Sequence, residues 1–367
     1  MARVELKNII KRFGDNTALD DVSFSIQDGQ FFCLLGSSGA GKSTTINIIS
    51  GVELPDAGKI LLNDKDITGF LPQERNIATA FESYALYPHF TVYQNLMFPL
   101  EAPGRKHTLT LKEKDGLVHR TASMLGIEEL LHRYPRELSG GQRQRVALGR
   151  TLVRRPNIYL LDEPIAHLDA KLRHRMRSEL KKIQQELGIT TLYTTPDQLE
   201  ALSMGDVIAV LNKGKIEQIG TSDEIYYKPV NMYVARFVGD PPMNFFKAVY
   251  KGTHFVIENE SNFQIPVHPN SKAQLDRNMK EHPIFIGIRP KDITTVSPQD
   301  RQAHLRGEVV LIDTLGQTSV ITVKEHSHIV KVKINTDKLP NLHAIVGLQF
   351  DNLKLYYFDA ESRERLG

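Results

Sequence analysis

The segment Gly36-Ser37-Ser38-Gly39-Ala40-Gly41-Lys42-Ser43 constrains the fold more than any other part of the chain. The apolar run Phe31–Leu35 precedes it and predicts a buried strand, and Thr44–Ser50 predicts the opening of a helix. A strand, a glycine-rich loop and a helix in this order direct backbone N–H groups at an anion. The pattern G-x-x-x-x-G-K-[ST] therefore predicts a nucleoside triphosphate site, in which Lys42 reaches the β- and γ-phosphates and Ser43 binds Mg²⁺.

Two acids follow a second apolar run, Ile158–Leu161, in the order Asp162-Glu163-Pro164. At the edge of a parallel sheet beside the phosphate loop, Asp162 would hold Mg²⁺ through water. Glu163 would polarise an attacking water there. The preceding apolar run favours this interpretation over two solvated acids at a strand end.

Two further features point to the same ligand. In Leu138-Ser139-Gly140-Gly141-Gln142, Ser139 followed by two glycines predicts the cap of a helix running towards Leu152. Free N–H groups at such a helix start form a second potential phosphate site. Phe13 lies in a predicted turn, Lys11–Gly14. The sequence leaves open whether its ring packs in the core or is an exposed surface on which an adenine base stacks.

The two parts of the chain differ in pattern. Residues 1–235 alternate strands and helices, which predicts a mostly parallel, helix-covered sheet, with a helical subdomain at about 92–145. Residues 236–367 contain short β-type runs, which predict a small barrel or sandwich. A basic run, Lys171–Lys182, fits the solvated face of an amphipathic helix better than a binding patch.

Composition limits the partners. The net charge of +3 is too small to argue for nucleic acid or an anionic membrane surface. The single cysteine, Cys33, is expected to be buried and fits a reducing compartment. The sequence contains no signal-peptide core and no run near the roughly 18 apolar residues of a membrane span. A role at a membrane would therefore need another protein as anchor.

The order of the motifs resembles the ATP-binding subunits of ABC transporters. A phosphate loop, a helical insertion, Leu138–Gln142 and a strand ending in Asp162-Glu163 follow one another as in that superfamily. The stretches Ser83–His89 and Leu168–Arg173, and a tail with Gly287–Pro290, look like the importer branch related to the maltose ATPase. The resemblance implies an α/β P-loop ABC ATPase domain with a mixed sheet and helical subdomain, followed by a small all-β, OB-like (TOBE-like) domain.

The same resemblance implies an ATPase that uses ATP and Mg²⁺ in a head-to-tail dimer holding two nucleotides. Each site joins the phosphate loop of one subunit to the Ser139–Gly141 segment of the other. Asp169 would bridge the dimer, and Glu82–His89 would face the permease. The catalytic candidates are Glu163 and Glu82, and the metal candidates are Ser43, Asp162 and Glu82. The nucleotide-binding candidates are Phe13, Gly36, Ser37, Ser38, Gly39, Ala40, Gly41, Lys42, Ser43, Thr44, Ser139, Gly140, Gly141 and Gln142.

The chain departs from this family at positions that act on the γ-phosphate. Glu82 replaces a glutamine, Pro196 replaces the switch histidine, and Ala166-His167 replaces Ser-Asn. Proline supplies no hydrogen-bond donor. The loss of one preorganised donor in an active site typically lowers the catalytic rate by a factor of roughly 10²–10³. One interpretation is hydrolysis by other groups, for instance Glu163 with Asp197. The more specific hypothesis is a heterodimer in which one ATP site has the consensus residues and the other is impaired in hydrolysis. A homodimer is the alternative.

The resemblance implies the energy-coupling subunit of an importer, with carbohydrate or polyol as the favoured cargo. Its partners would be integral-membrane permease subunits and, indirectly, a solute-binding protein, with no nucleic acid. The subunit would be peripheral, at the cytoplasmic face of the cell membrane. The alternatives are an importer ATPase for polyamines or inorganic ions, and a nucleotide-dependent regulatory subunit.

Overall fold

The computed structural model describes residues 2–80, 86–101, 109–154, 156–166, 168–258, 264–268, 282–326 and 328–366. The chain divides into two compact units, Met1–Asp223 and Glu224–Gly367. This division falls earlier than the predicted domain boundary after residue 235. Along the described chain, no helix has both the length and the apolar composition needed to cross a membrane.

The first unit contains two sheets. The smaller sheet is antiparallel, in the order β2-β1-β4-β5. Its strands are β1 (Val4–Phe13), β2 (Asn16–Ile26), β4 (Ala57–Leu62) and β5 (Lys65–Asp66). The turn predicted at Lys11–Gly14 is wrong for Lys11–Phe13. These residues continue β1, and the chain turns at Gly14, which has a left-handed φ of 58°.

The larger sheet has six strands in the order β10-β9-β3-β8-β7-β6. They are β3 (Phe31–Leu35), β6 (Ile77–Ala80), β7 (Ile158–Asp162), β8 (Thr190–Thr195), β9 (Val207–Asn212) and β10 (Lys215–Gly220). Strands β6, β7, β8, β3 and β9 are parallel, and β10 is antiparallel to β9. The sheet is therefore mixed, as expected. Strand β3, with Cys33, is entirely buried, as its apolar composition predicts for a covered parallel sheet.

The first unit also contains helices. They are α1 (Lys42–Ser50), α2 (Val92–Glu101), α3 (Leu111–Met124), α4 (Gly140–Leu152), α5 (Ala170–Leu187) and α6 (Gln198–Met204). Of these, α2 and α3 pack against α4 and against each other. The basic run lies on α5, which buries Met176, Leu180 and Ile183, so the amphipathic interpretation is confirmed. Between α3 and α4 the chain forms only short 3₁₀ turns, Glu128–Leu130 and Pro135–Glu137. The helical subdomain predicted at about 92–145 is therefore less helical between α3 and α4 than expected.

The second unit is all β after two short helices, which confirms the predicted class. The helices are α7 (Ser222–Tyr227), which spans the division between the units, and α8 (Met232–Phe237). The strands are β11 (Asn244–Tyr250), β12 (His254–Ile257), β13 (Gln264–Pro266), β14 (Pro283–Ile288), β15 (Ile293–Val296), β16 (Leu305–Leu315), β17 (Thr318–Glu325), β18 (His328–Asn335), β19 (Ile345–Phe350) and β20 (Tyr356–Asp359). Two five-stranded antiparallel sheets, β13-β12-β11-β14-β20 and β15-β19-β16-β17-β18, share one apolar core.

A buried arginine fixes the end of the helix that follows the phosphate loop. Arg75 is 1% exposed. Its Nη1 donates to the carbonyls of Ile48 (2.8 Å) and Ile49 (2.9 Å), which lie in the last turn of α1. Its Nε and Nη2 donate to Phe70 and Thr68 carbonyls at 3.0 and 2.8 Å. The cation thus adds donors to carbonyls of the last helical turn, where i→i+4 bonding ends, and lies at the negative end of the helix dipole.

Replacing Arg75 should therefore destabilise the first unit. We expect Arg75→Met to lower its free energy of unfolding by at least about 2–3 kcal/mol, because buried carbonyls lose their donors. Arg175→Met, on the exposed face of α5, should change it by less than about 0.5 kcal/mol. Denaturant unfolding of the purified chain measures both. Equal effects of the two variants would contradict the assigned role of Arg75.

Candidate nucleotide-binding site

A cleft of about 580 Å³ opens at the carboxyl edge of the larger sheet. Strands β9, β3, β8 and β7 end side by side there, and the segments that follow them form the cleft together with β2. This is where ligands bind in open parallel sheets. Its lining residues are Phe13, Asn16, Thr17, Ala18, Ser38, Gly39, Gly41, Lys42, Ser43, Thr44, Glu163, Pro196 and Lys213.

The phosphate loop requires glycine at two close approaches. A Cβ atom on Gly36 would lie 2.5 Å from the Leu211 carbonyl oxygen. A Cβ on Gly41 would lie 2.7 Å from the Ala18 carbonyl oxygen, and Gly41 has a φ of 111°, which side chains rarely adopt. Because α1 begins directly after Gly41, the first N–H groups of the helix point into the cleft without intrahelical partners.

Lys42 is held at the floor of the cleft. Its side chain is 4% exposed, and its Nζ donates to the carbonyls of Gly36 and Ser37, each at 2.9 Å. The same atom lies 3.2 Å from Glu163 Oε1. The ammonium is therefore positioned by the loop itself and is paired with the acid that the sequence nominates as the general base. Glu163 has a φ of 46°, an unfavourable backbone conformation that is typical of functional positions.

The end of β8 positions both acids. Thr194 Oγ1 donates to Asp162 Oδ1 at 2.6 Å, and the Glu163 backbone N–H donates to the Thr194 carbonyl at 3.2 Å. Asp162 is buried behind the cleft, whereas Glu163 reaches its surface. This placement puts Glu163 within the ligand space and keeps Asp162 behind it.

Mg²⁺ fits this donor set. In the described ranges, no cluster of three or more His, Cys, Asp or Glu side chains could hold a metal by itself. Protein-bound Mg²⁺ usually takes only one or two carboxylates, with water and substrate phosphates completing its shell. The Ser43 hydroxyl in the cleft and the Asp162 carboxylate behind it supply oxygen ligands of that kind. The third metal candidate, Glu82, lies outside the described residues, as does His167.

Beneath Pro196 lies a buried carboxylate that the sequence did not single out. Glu200 Oε2 accepts hydrogen bonds from Tyr193 Oη at 2.8 Å and from Thr195 Oγ1 at 2.7 Å. Thr195 also accepts from the Asp197 N–H at 3.0 Å, and its carbonyl accepts from the Gly36 N–H at 3.2 Å. Glu200 therefore fixes the segment that carries Pro196 next to the start of the phosphate loop. The sequence signal that could have identified Glu200 is its position four residues after Pro196, within a helix.

Glu200 should make stability depend on pH. Burial raises its pKa above the ordinary value, against the opposing hydrogen bonds from Thr195 and Tyr193. A raised carboxyl pKa gives stability that is present at low pH and lost as pH rises through the folded-state pKa. We expect the wild-type free energy of unfolding, relative to that of Glu200→Gln, to fall as pH rises above about 4, the ordinary pKa of glutamate. Chemical denaturation at a series of pH values measures the difference.

The matched control for this experiment is Glu129→Gln, because Glu129 is an exposed acid of the same unit. Its difference from wild type should vary little with pH. A wild-type advantage over Glu200→Gln that grows with pH would contradict the assignment.

Phe13 lies at the rim of the cleft. Its ring is 48% exposed, and the Lys11 ammonium lies 5.0 Å from its centroid. Of the two roles that the sequence left open, a core side chain is therefore excluded. An exposed aromatic face beside a phosphate loop is suited to stacking a base.

The Ser139–Gln142 segment lies outside the cleft lining. Ser139 caps α4, as predicted: its Oγ accepts from the Gln142 N–H at 3.3 Å, and Gln142 Oε1 accepts from the Ser139 N–H at 2.8 Å. Ser139 and Gly140 are exposed, while Gln144 Nε2 donates to the Pro164 carbonyl at 2.6 Å. Asp169 is exposed as the cap of α5. The first turn of α4 is thus presented at the surface and tied to the segment after Glu163.

Comparisons with known proteins agree with this arrangement. Residues 19–166 match the model of the ABC transporter family, and residues 239–293 match the MalK OB fold domain. The trehalose/maltose import ATP-binding protein MalK of Thermococcus litoralis is 42% identical, covering 98% of each chain. The xylose/arabinose import ATP-binding protein XacK of Haloferax volcanii is 41% identical over 88% of this chain and 84% of its own.

Two further proteins extend the comparison. The sulfoquinovosyl glycerol transport ATP-binding protein SmoE of Agrobacterium fabrum is 35% identical over the whole of both chains. A dimeric ATP-binding cassette solved in a post-hydrolysis state with ADP and Pi superposes with a TM-score of 0.54 and 31% identity. That match covers 60% of this chain and 98% of the cassette. The chain belongs to the family of ATP-binding subunits of ABC transporters, and it is an ABC-type ATPase that binds ATP or ADP.

Proposed function

We propose that this protein is the energy-coupling ATPase subunit of an ABC importer for a carbohydrate or polyol, bound peripherally to permease subunits at the cytoplasmic face of the cell membrane. The cargo proposal is supported by relatives whose names specify trehalose, maltose, xylose, arabinose and sulfoquinovosyl glycerol. The observation that carries the ATPase role is the cleft that joins Phe13, the phosphate loop and Glu163. In this proposal the ATP-binding domain is residues 1–235, and the β domain, 236–367, regulates or dimerises.

The cleft suggests a role for each side chain. Phe13 stacks the adenine, the loop N–H groups and Lys42 hold the phosphates, and Glu163 takes a proton from the attacking water. Lys42 already neutralises Glu163 at 3.2 Å, so the phosphates must draw the ammonium away before Glu163 can act as a base. Mg²⁺, held by Ser43 and through Asp162, would neutralise charge on the phosphate oxygens when bound.

The cleft has no side-chain donor at position 196. Pro196 lines it and offers neither a side-chain donor nor a backbone N–H, so it cannot bind developing charge on the γ-phosphate. Ser139 and Gly140, by contrast, are exposed, and their segment is suited to complete a site on a partner subunit. We therefore place this chain in a heterodimer, in which its own site binds ATP and turns it over slowly. Its helix α4 would serve the competent site of the partner.

Restoring the missing donor tests this asymmetry. We expect the lone chain to bind ATP with little turnover, and Pro196→His to raise its ATPase rate by at least about tenfold. Pro196→Ala is the matched control, since it removes the proline and restores the backbone N–H without adding a side-chain donor. A steady phosphate-release assay measures all three. Robust hydrolysis by the lone wild-type chain, abolished by Glu163→Gln, would contradict the proposal.

The complex with the partner ATPase supplies the complementary measurement. There Glu163→Gln should leave most of the turnover, whereas Gly140→Asp should remove it. A Cβ on Gly140 meets no atom within 4 Å, so the effect of that substitution would arise at the partner's nucleotide.

A second groove, of about 640 Å³, supports the permease contact. Its lining includes Tyr87, a described residue of the segment that the resemblance assigns to the permease, together with Phe98, Arg150 and residues of β6. Tyr87 and Phe98 are exposed, with ring centroids 4.6 Å apart, and the Arg150 guanidinium lies 5.2 Å from the Tyr87 ring. Exposed aromatic side chains with an arginine are typical anchors of protein interfaces. The groove fits a short apolar element of the permease.

Truncating one anchor should uncouple the permease. We expect Phe98→Ala to reduce the permease recovered with this subunit by about tenfold, as for an interface hot spot. ATP binding by the free subunit should not change. Leu111→Ala, at a more exposed apolar residue outside the groove, is the control. Uptake of labelled carbohydrate should fall in parallel, and unchanged permease recovery with Phe98→Ala would exclude this groove.

A further inference from the structure

We propose that Lys213 is a second phosphate-binding cation of this nucleotide cleft, contacting the polyphosphate chain of ATP from the side opposite Pro196. Lys213 follows β9, which pairs with β3 on one side, while β8, ahead of Pro196, pairs with β3 on the other. The phosphate loop therefore lies between the two positions, and both line the cleft. This inference rests on the proposed nucleotide cleft.

The backbone fixes Lys213 beside the loop. Lys213 and Gly214 form the two-residue turn between β9 and β10, with φ values of 45° and 78°, as in a type I′ hairpin. The Gly214 N–H donates to the Ala40 carbonyl at 2.9 Å, and its carbonyl accepts from the Asp20 N–H at 2.9 Å. Ala40 lies within the phosphate loop, so the Lys213 backbone is one hydrogen bond away from it. A lysine side chain spans the remaining distance to a bound phosphate.

The ammonium group of Lys213 is available to bind a ligand. Lys42 is buried and paired with Glu163, and Lys215, in the same hairpin, lies 3.1 Å from Asp20 Oδ2. Lys213 is exposed, and no carboxylate pairs with it in the part of the chain that the structure describes. An unpaired ammonium strengthens the attraction of the cleft for a polyanion, because the Lys42 ammonium is already paired with Glu163.

The position of this cation predicts its effect. Lys213 stands on the far side of the loop from Glu163 and Pro196, where water attack would take place. It therefore stabilises bound ATP and the transition state about equally, which raises affinity without raising kcat. Such a contact would help a slowly hydrolysing site retain its nucleotide.

Calorimetric binding of ATP and of inorganic tripolyphosphate to the full chain tests this inference. The variant is Lys213→Asn, because asparagine accepts the left-handed conformation and Asn-Gly is favoured in a type I′ turn. We expect about tenfold weaker binding of both ligands. Lys213→Arg should restore most of the affinity. The effect should shrink as ionic strength rises.

Lys215→Asn is the matched control, and it should change neither affinity. Lys42→Ala separates this inference from the proposed cleft: if it leaves ATP affinity unchanged, the proposed cleft itself is wrong. If Lys42→Ala weakens binding but Lys213→Asn does not, only the role of Lys213 is overturned. A loss of ATP affinity with unchanged tripolyphosphate binding would also overturn it, because the contact would then be to base or ribose.

Discussion

The carboxyl end of β8 is the constraint on which the nucleotide cleft depends. Thr194 holds Asp162 and the Glu163 backbone, and Thr195 holds the first residue of the phosphate loop and the buried Glu200. Two adjacent hydroxyl-bearing residues thus connect β7, β3 and α6. Because these bonds are buried and mutually satisfied, the acids and the loop keep one relative geometry without a ligand.

Charge in the cleft is arranged around the phosphate loop. Lys42 is buried and forms an ion pair with Glu163, whereas Lys213 is exposed on the other side of the loop. Pro196, on the flank near Glu163, supplies no donor. A cleft built this way favours holding a polyphosphate over stabilising charge that develops during its cleavage, which is the physical basis of the proposed asymmetry.

Much of the site was predictable from local sequence. The loop, the strand ending in Asp162 and the cap at Ser139 each depend on a few consecutive residues, and all three have the predicted form. For the second unit the sequence predicted the β class but not the bounds of strands such as β11 and β19, because residues buried on alternate positions carry weak patterns. Glu200 and Lys213 were also missed, since a buried acid and a turn lysine look ordinary until distant strands are brought together.

The sequence by itself determined the class of this protein, the phosphate loop and the loss of a donor at Pro196, because each is a property of residue type and order. Only the tertiary structure decided that Phe13 is exposed at the cleft rim and that Ser139 lies outside its lining. It also decided that the β9–β10 turn contacts the loop through Ala40. These facts depend on the order of strands in the sheet, and non-local pairing sets that order.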